Sequence, residues 1–279
     1  MKKWIFTVVF LGSLFMDYSM ALVEKADATP EYVEEYYKKA LESYKNRNYE
    51  ESLDHLRHVI KSDQDNFNIR YLASHNHWRL GNFEPAVIHM KKCIEVQPQR
   101  MNSYIDLALI YIKFNEIENA QHTLYRALEA GKENNIKIPA KVYNVLSRTY
   151  LYQGKPLLAL EHAENAKAAF EKNKAGIKDK LEAIMLEARA QLALGNFEKA
   201  EISILWGISL RENNPIAMNL AGVIYLEWAK SEKKINHANA AVDYFQKVQK
   251  NSSIPASFRE VVEKNLEDAR EIQKSISSQ

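Results

Sequence analysis

Five histidines crowd into one stretch of the chain, His55, His58, His75, His77 and His89. Clustered imidazoles suggest a metal site or acid–base chemistry. Ligand pairs on a helix sit three or four residues apart, where they share a face. His55 and His58 meet that spacing. His75 and His77, two apart, point to different faces, and no third ligand follows nearby, although His89 stands on the second helix of the next block. The pattern reads as packing or solvent-exposed imidazoles, and no metal is expected. Cys93 is the sole cysteine, which excludes an intramolecular disulfide and a cysteine-based zinc site. It falls among small residues at a helix crossing and reads as a packed thiol, since a reactive thiolate needs exposure and nearby cations. The chain holds no phosphate-binding glycine loop, no Gly-x-Ser-x-Gly and no His-Glu-x-x-His. The expectation is a non-enzymatic protein with no catalytic residues and no cofactor. Asn251-Ser252-Ser253 fits a glycosylation acceptor.

The rest of the composition narrows the class. Of 279 residues, 46% are hydrophobic and 27% charged, which argues against intrinsic disorder and against a multi-span membrane protein. Lys plus Arg number 38 and Asp plus Glu 36, so the net charge of +2 lacks the field a dedicated nucleic-acid binder needs. Only 8 Gly and 7 Pro imply long helices rather than many short strands. Residues 1–21 begin with Lys2 and Lys3, continue through an apolar run from Trp4 to Phe15, and end on Ser19-Met20-Ala21. This is the signature of a secretory signal peptide cut before Leu22, the alternatives being an uncleaved anchor or a buried helix. The apolar run is shorter than the roughly 20 residues a bilayer span needs, so no transmembrane segment is expected in the mature chain. Residues 22–32 read as a flexible leader.

From Val33 onward the chain repeats. Gly81-Asn82-Phe83 with Ala86, Gly154-Lys155-Pro156 with Ala159 and Gly195-Asn196-Phe197 with Ala200 share one pattern. Asn115-Glu116-Ile117 with Ala120 and Arg47-Asn48-Tyr49 with Ser52 follow it. In register these give six blocks, 33–66, 67–100, 101–134, 140–173, 181–214 and 215–251, each a pair of helix-period stretches around a short turn. The sixth holds an insertion at Ser231–Asn236. Three places per block hold small residues. The eighth is Ala40, Ser74, Ala108, Ser147, Ala188 and Gly222; the twentieth is Ser52, Ala86, Ala120, Ala159, Ala200 and Ala241; the twenty-seventh is Val59, Cys93, Ala127, Ala166, Gly207 and Val248. Small side chains allow close helix crossing. Residues 252–279 read as a capping helix and tail, with Phe258, Val261, Val262, Leu266, Ala269 and Ile272 on one side.

These residues resemble the tetratricopeptide repeat family, whose period is 34. The resemblance covers 33–251 and implies an all-α, right-handed superhelical solenoid of about six helical hairpins with a C-terminal capping helix. It further implies that first helices line a concave groove that holds a partner's peptide or helix. The family's groove-facing places give Tyr37, Tyr44, Tyr71, His75, Trp78 and Arg79 in the first two blocks. In the last three they give Asn144, Arg148, Tyr152, Arg189 and Asn219. Exposed Tyr, Trp and Arg make binding hot spots, and Arg holds carboxylates bidentately. The same side chains equally suit mere support of the superhelix, and local Glu residues are available to both arginines; exposure decides. The carboxylate clamp of some family members is not matched, because aromatics and Leu41 replace its Lys and Asn. Together with the signal-peptide pattern, the Lys-rich start and the low net charge, the resemblance leads to the expectation of an exported, bacterial, periplasmic or secreted interaction scaffold with a protein or peptide partner and no nucleic acid, monomeric or weakly oligomeric. The alternative is an accessory ligand-binding or cell-wall-associated factor of an envelope system.

Overall fold

The computed structural model describes residues 31–61, 63–173 and 176–278. The expected signal peptide and most of the expected leader lie outside them. The described residues fold into thirteen α-helices and no strand. Six hairpins follow one another: α1 (Glu31–Lys45) with α2 (Tyr49–Val59), α3 (Phe67–Leu80) with α4 (Phe83–Val96), α5 (Met101–Lys113) with α6 (Ile117–Glu133), α7 (Ala140–Tyr152) with α8 (Pro156–Asn173), α9 (Ile177–Ala193) with α10 (Phe197–Leu210), and α11 (Pro215–Glu232) with α12 (Ile235–Gln249). A last helix, α13 (Ala256–Ser277), follows. The all-α hairpin solenoid class expected from the repeats is the class observed.

The turn of each hairpin explains the recurrent glycine. Arg47, Gly81, Asn115, Gly154, Gly195 and Lys233 all have positive φ, between 53° and 81°. A left-handed residue just past the last turn closes a helix by returning amides to its free carbonyls. In the first five hairpins the following residue makes the closing bond over the same span: Asn48 to Ser43 O, Asn82 to His77 O, Glu116 to Tyr111 O, Lys155 to Tyr150 O and Asn196 to Gln191 O, at 2.8–2.9 Å. The sixth closes differently, Lys233 N–H donating to Ala229 O at 2.8 Å. Its insertion, Ser231–Asn236, is divided: Ser231 and Glu232 extend α11 to 18 residues, Lys233 and Lys234 make the turn, and Ile235 and Asn236 open α12.

The small places are the helix crossings. Every one of them is buried. Three are pinned by hydroxyls: Ser52 Oγ donates to Ala40 O, Ser74 Oγ to Ala86 O and Ser147 Oγ to Ala159 O, each at 2.7 Å. The sixth crossing is the tightest, since a Cβ on Gly222 would sit 2.5 Å from the Phe245 ring.

The chain divides into two units at Ile138/Pro139. The first contains α1–α6. The second contains α7–α13, where α13 closes the stack by laying Phe258, Val262, Leu266 and Ala269 on Leu226, Phe245 and Val248. In this second unit the first helices α7, α9 and α11 touch in series, whereas α8, α10 and α12 do not pack on one another to that extent. The stack is therefore closer on its first-helix side. Among the described residues no helix is long and apolar enough to cross a membrane.

Candidate functional site

In the unit 31–138, the aromatic groove residues gather into one cluster, and most of it is closed to solvent. Tyr37 and Tyr44 on α1, and Tyr71 and His75 on α3, are buried. For these four the structure selects packing over an exposed binding surface. On α3 each ring covers the next along one face: Tyr71 lies 5.5 Å from Phe67 and 4.5 Å from His75, and His75 meets Trp78 edge-on at 5.7 Å. The Tyr71 hydroxyl donates to the Asp106 carboxylate on α5, and His75 Nε2 lies 3.6 Å from the same carboxylate. Burial first, then the Asp106 charge, pushes the Tyr71 pKa well up. Burial likewise raises Tyr37 and Tyr44.

Trp78 and Arg79 remain half-buried at the end of α3. Lys113 on α5 donates to Trp78 O at 2.7 Å, and both its ammonium and the Arg79 guanidinium lie 5.8 Å from the indole centroid. Burial and then the Arg79 charge lower the Lys113 pKa. Asp106 and Lys113 went unnamed in the sequence. Lys113 had a usable signal, since it occupies the place Arg79 holds one block earlier; Asp106 sits one place off the groove pattern and had none.

In the unit 139–278, the predicted residues separate. Asn144 on α7 is buried and its amide donates to Asp179 O at 3.1 Å. Asn219 on α11 accepts from the Asn265 amide of α13 at 3.3 Å. Both amides serve contacts between helices. Arg148 on α7 forms an ion pair with Glu182 on α9. Arg189, two turns further along α9, is exposed, and no carboxylate among the described residues lies within 4.0 Å of it. The surrounding protein, then the Arg148 charge, lowers its pKa, with Tyr152 and Glu182 acting the other way. Tyr152 is exposed at the end of α7. Glu182 is thus paired with one guanidinium group, Arg148, and the charge of the other, Arg189, faces water.

The histidines do not converge. His77 stacks on His89 at 5.6 Å, with Arg70 3.2 Å from His89 Nδ1, while His55 and His58 lie against Tyr36. Among the described residues no group of three His, Cys, Asp or Glu is placed to hold a metal ion. Cys93 is buried at its crossing, and burial raises its thiol pKa far above the ordinary range.

Residues 67–100 and 102–133 match the model of the tetratricopeptide repeat family, so α3–α6 form two such repeats. No curated protein matches the chain. Solved structures do match in fold. PilW, a widely conserved type IV pilus biogenesis factor, is 16% identical with a TM-score of 0.64, over 84% of this chain and 100% of that one. Pseudomonas aeruginosa pilF is 14% identical with a TM-score of 0.59, over 84% and 98%. YrrB, a tetratricopeptide repeat protein with an unusual peptide-binding site, is 17% identical with a TM-score of 0.50, over 68% and 91%. These likenesses are of fold: tandem helical hairpins.

Proposed function

We propose that the protein is a non-enzymatic interaction scaffold of the bacterial cell envelope that holds a partner's peptide or helix on the first-helix side of its hairpin stack. The observation that carries the reading is the Arg148–Glu182–Arg189 arrangement. Arg148 is paired with Glu182, whereas Arg189 faces water with no carboxylate within 4.0 Å among the described residues, so the two like charges repel across the site. An incoming carboxylate relieves that repulsion and accepts a forked pair of hydrogen bonds from Arg189, the kind of charge-assisted contact worth about 1.5–3 kcal/mol. Tyr152 beside it offers an exposed ring for an apolar neighbour on the same peptide. Trp78, Arg79 and Lys113 offer a second, half-buried contact region in the other unit. The envelope setting is supported by the leader-like pattern of residues 1–21 and by the fold shared with PilW, a type IV pilus biogenesis factor.

The test is cross-linking capture from envelope extract with the full chain, beside Arg189→Glu and Arg148→Glu. Glu182 is left in place, so the variants reverse charge without emptying a core position. Loss of the same partners from both variants supports the reading. Undiminished capture by both sinks it.

A further inference from the structure

The second helix of the fifth hairpin carries an outward stripe that its sister helices lack. Ile202, Leu205 and Trp206 on α10 follow an i, i+3, i+4 spacing and are 68%, 40% and 38% exposed. The same places relative to the buried crossing alanine are Glu161, Glu164 and Asn165 on α8, and Asp243, Gln246 and Lys247 on α12. At these places α8 and α12 are polar where α10 is apolar. A contiguous apolar stripe rimmed by polar groups marks an interaction site rather than a solvated helix.

Charge lies on one side of that stripe. The ammonium groups of Lys167 and Lys180 lie 5.8 and 5.0 Å from the Trp206 ring, and Lys180 is also 5.0 Å from Phe170. Lys167 is paired with Glu187 at 2.7 Å. Lys180 has no carboxylate within 4.0 Å among the described residues. The stripe thus ends on an uncompensated cation held between two rings.

We propose that this outer face of α10 binds an acidic amphipathic helix of a partner protein, its apolar side chains over Ile202, Leu205 and Trp206 and a carboxylate at Lys180. The three-residue stripe is the length of ridge that one or two turns of a partner helix cover. It falls short of the roughly 20–30 residues per side of a standard stable interface, so the contact is a weak, reversible one. The stripe lies on α10, whereas Arg148 and Arg189 lie on α7 and α9, and the proposal does not rest on the reading given for them.

The experiment uses the full chain and two labelled synthetic 16-residue helices, one with Leu on one face and Glu on the other, the second with Lys in place of Glu. Fluorescence anisotropy is read for the wild type, Ile202→Glu, Lys180→Glu and Arg189→Glu. The Leu/Glu helix is expected to bind the wild type at least tenfold more tightly than the Leu/Lys helix. Ile202→Glu should weaken it tenfold or more, Lys180→Glu should invert the preference, and Arg189→Glu should leave it unchanged. Ile202 is solvent-exposed, and unchanged circular dichroism of its variant verifies the fold. No binding of the Leu/Glu helix, or equal binding by Ile202→Glu, overturns the proposal. So does loss on Arg189→Glu alone, which would move the peptide to the first-helix side. A wild-type dimer in sedimentation that Ile202→Glu makes monomeric would assign the face to a second copy, and capture by phosphatidylglycerol vesicles without peptide binding would assign it to a membrane.

Discussion

The crossing of α11 and α12 permits a substitution whose sign runs against helix propensity. Gly222 lies in the interior of α11, where Ala is ordinarily better than Gly by about 1 kcal/mol. A Cβ at Gly222, however, would stand 2.5 Å from Phe245 Cε1 and 2.8 Å from both Cδ1 and Cζ. Ordinary contact begins near 3.4 Å, so the ring must retreat by about 0.9 Å (3.4 − 2.5). It has nowhere free to go, because Phe245 is 0% exposed and enclosed by Val262, Leu266 and the rest of the capping core. Overpacking of this kind costs about 1–3 kcal/mol, and a clash between backbone-anchored carbon and enclosed ring belongs at the upper end. Subtracting the propensity gain, Gly222→Ala should destabilise by about 2 kcal/mol. Phe245→Leu alone should cost about 1–2 kcal/mol through lost burial. In Phe245→Leu the methyl finds room and only the propensity gain remains, so the double variant should be more stable than the sum of the singles by about 3 kcal/mol. Urea unfolding of the full chain and the two single and one double variants measures all three. A Gly222→Ala protein as stable as the wild type, or a strictly additive cycle, would refute the reasoning.

Other positions give independent tests. Lys233 adopts φ 53° without the freedom of glycine, so Lys233→Gly should raise stability by up to about 1 kcal/mol in urea melts; a loss would contradict the left-handed closure. Tyr37, Tyr44 and Tyr71 have folded pKa values raised above about 10, so their stabilisation is intact below that pH and is lost as pH rises through the folded values. Three such groups give a slope of up to about 4 kcal/mol per pH unit on the alkaline side; Tyr71→Phe should reduce that slope by about a third, and a flat profile from pH 10 to 12 would count against the buried cluster. His89 is held down to about 4 by burial, then by the Arg70 and His77 charges. Neutral in the fold and protonated below about 6.5 when unfolded, it should remove about 2 kcal/mol as pH falls from 6.5 to 4, after allowance for partial screening. His89→Gln should flatten that acid limb, and an unchanged limb would show that other groups produce it.

What the sequence by itself determined is whatever repeats locally. The hairpin count, the left-handed turns at Gly81, Asn115, Gly154 and Gly195, and the small crossings at places such as Ala120 and Ala200 depend on contacts within one hairpin or with the next, so period and residue size express them directly. Exposure was not legible in the sequence, because it depends on how closely the next hairpin stands and what it carries there. Tyr71 and His75 are closed off by Asp106 and their own aromatic neighbours, whereas Arg189, read from an equivalent place, stands open to water. The stripe of α10 shows the same limit in reverse: Ile202, Leu205 and Trp206 look like core residues in a one-dimensional pattern, and only the packed stack turns them outward beside Lys180. Periodicity is a property of one element, but burial and charge compensation are properties of its neighbours, and those exist only once the hairpins are stacked.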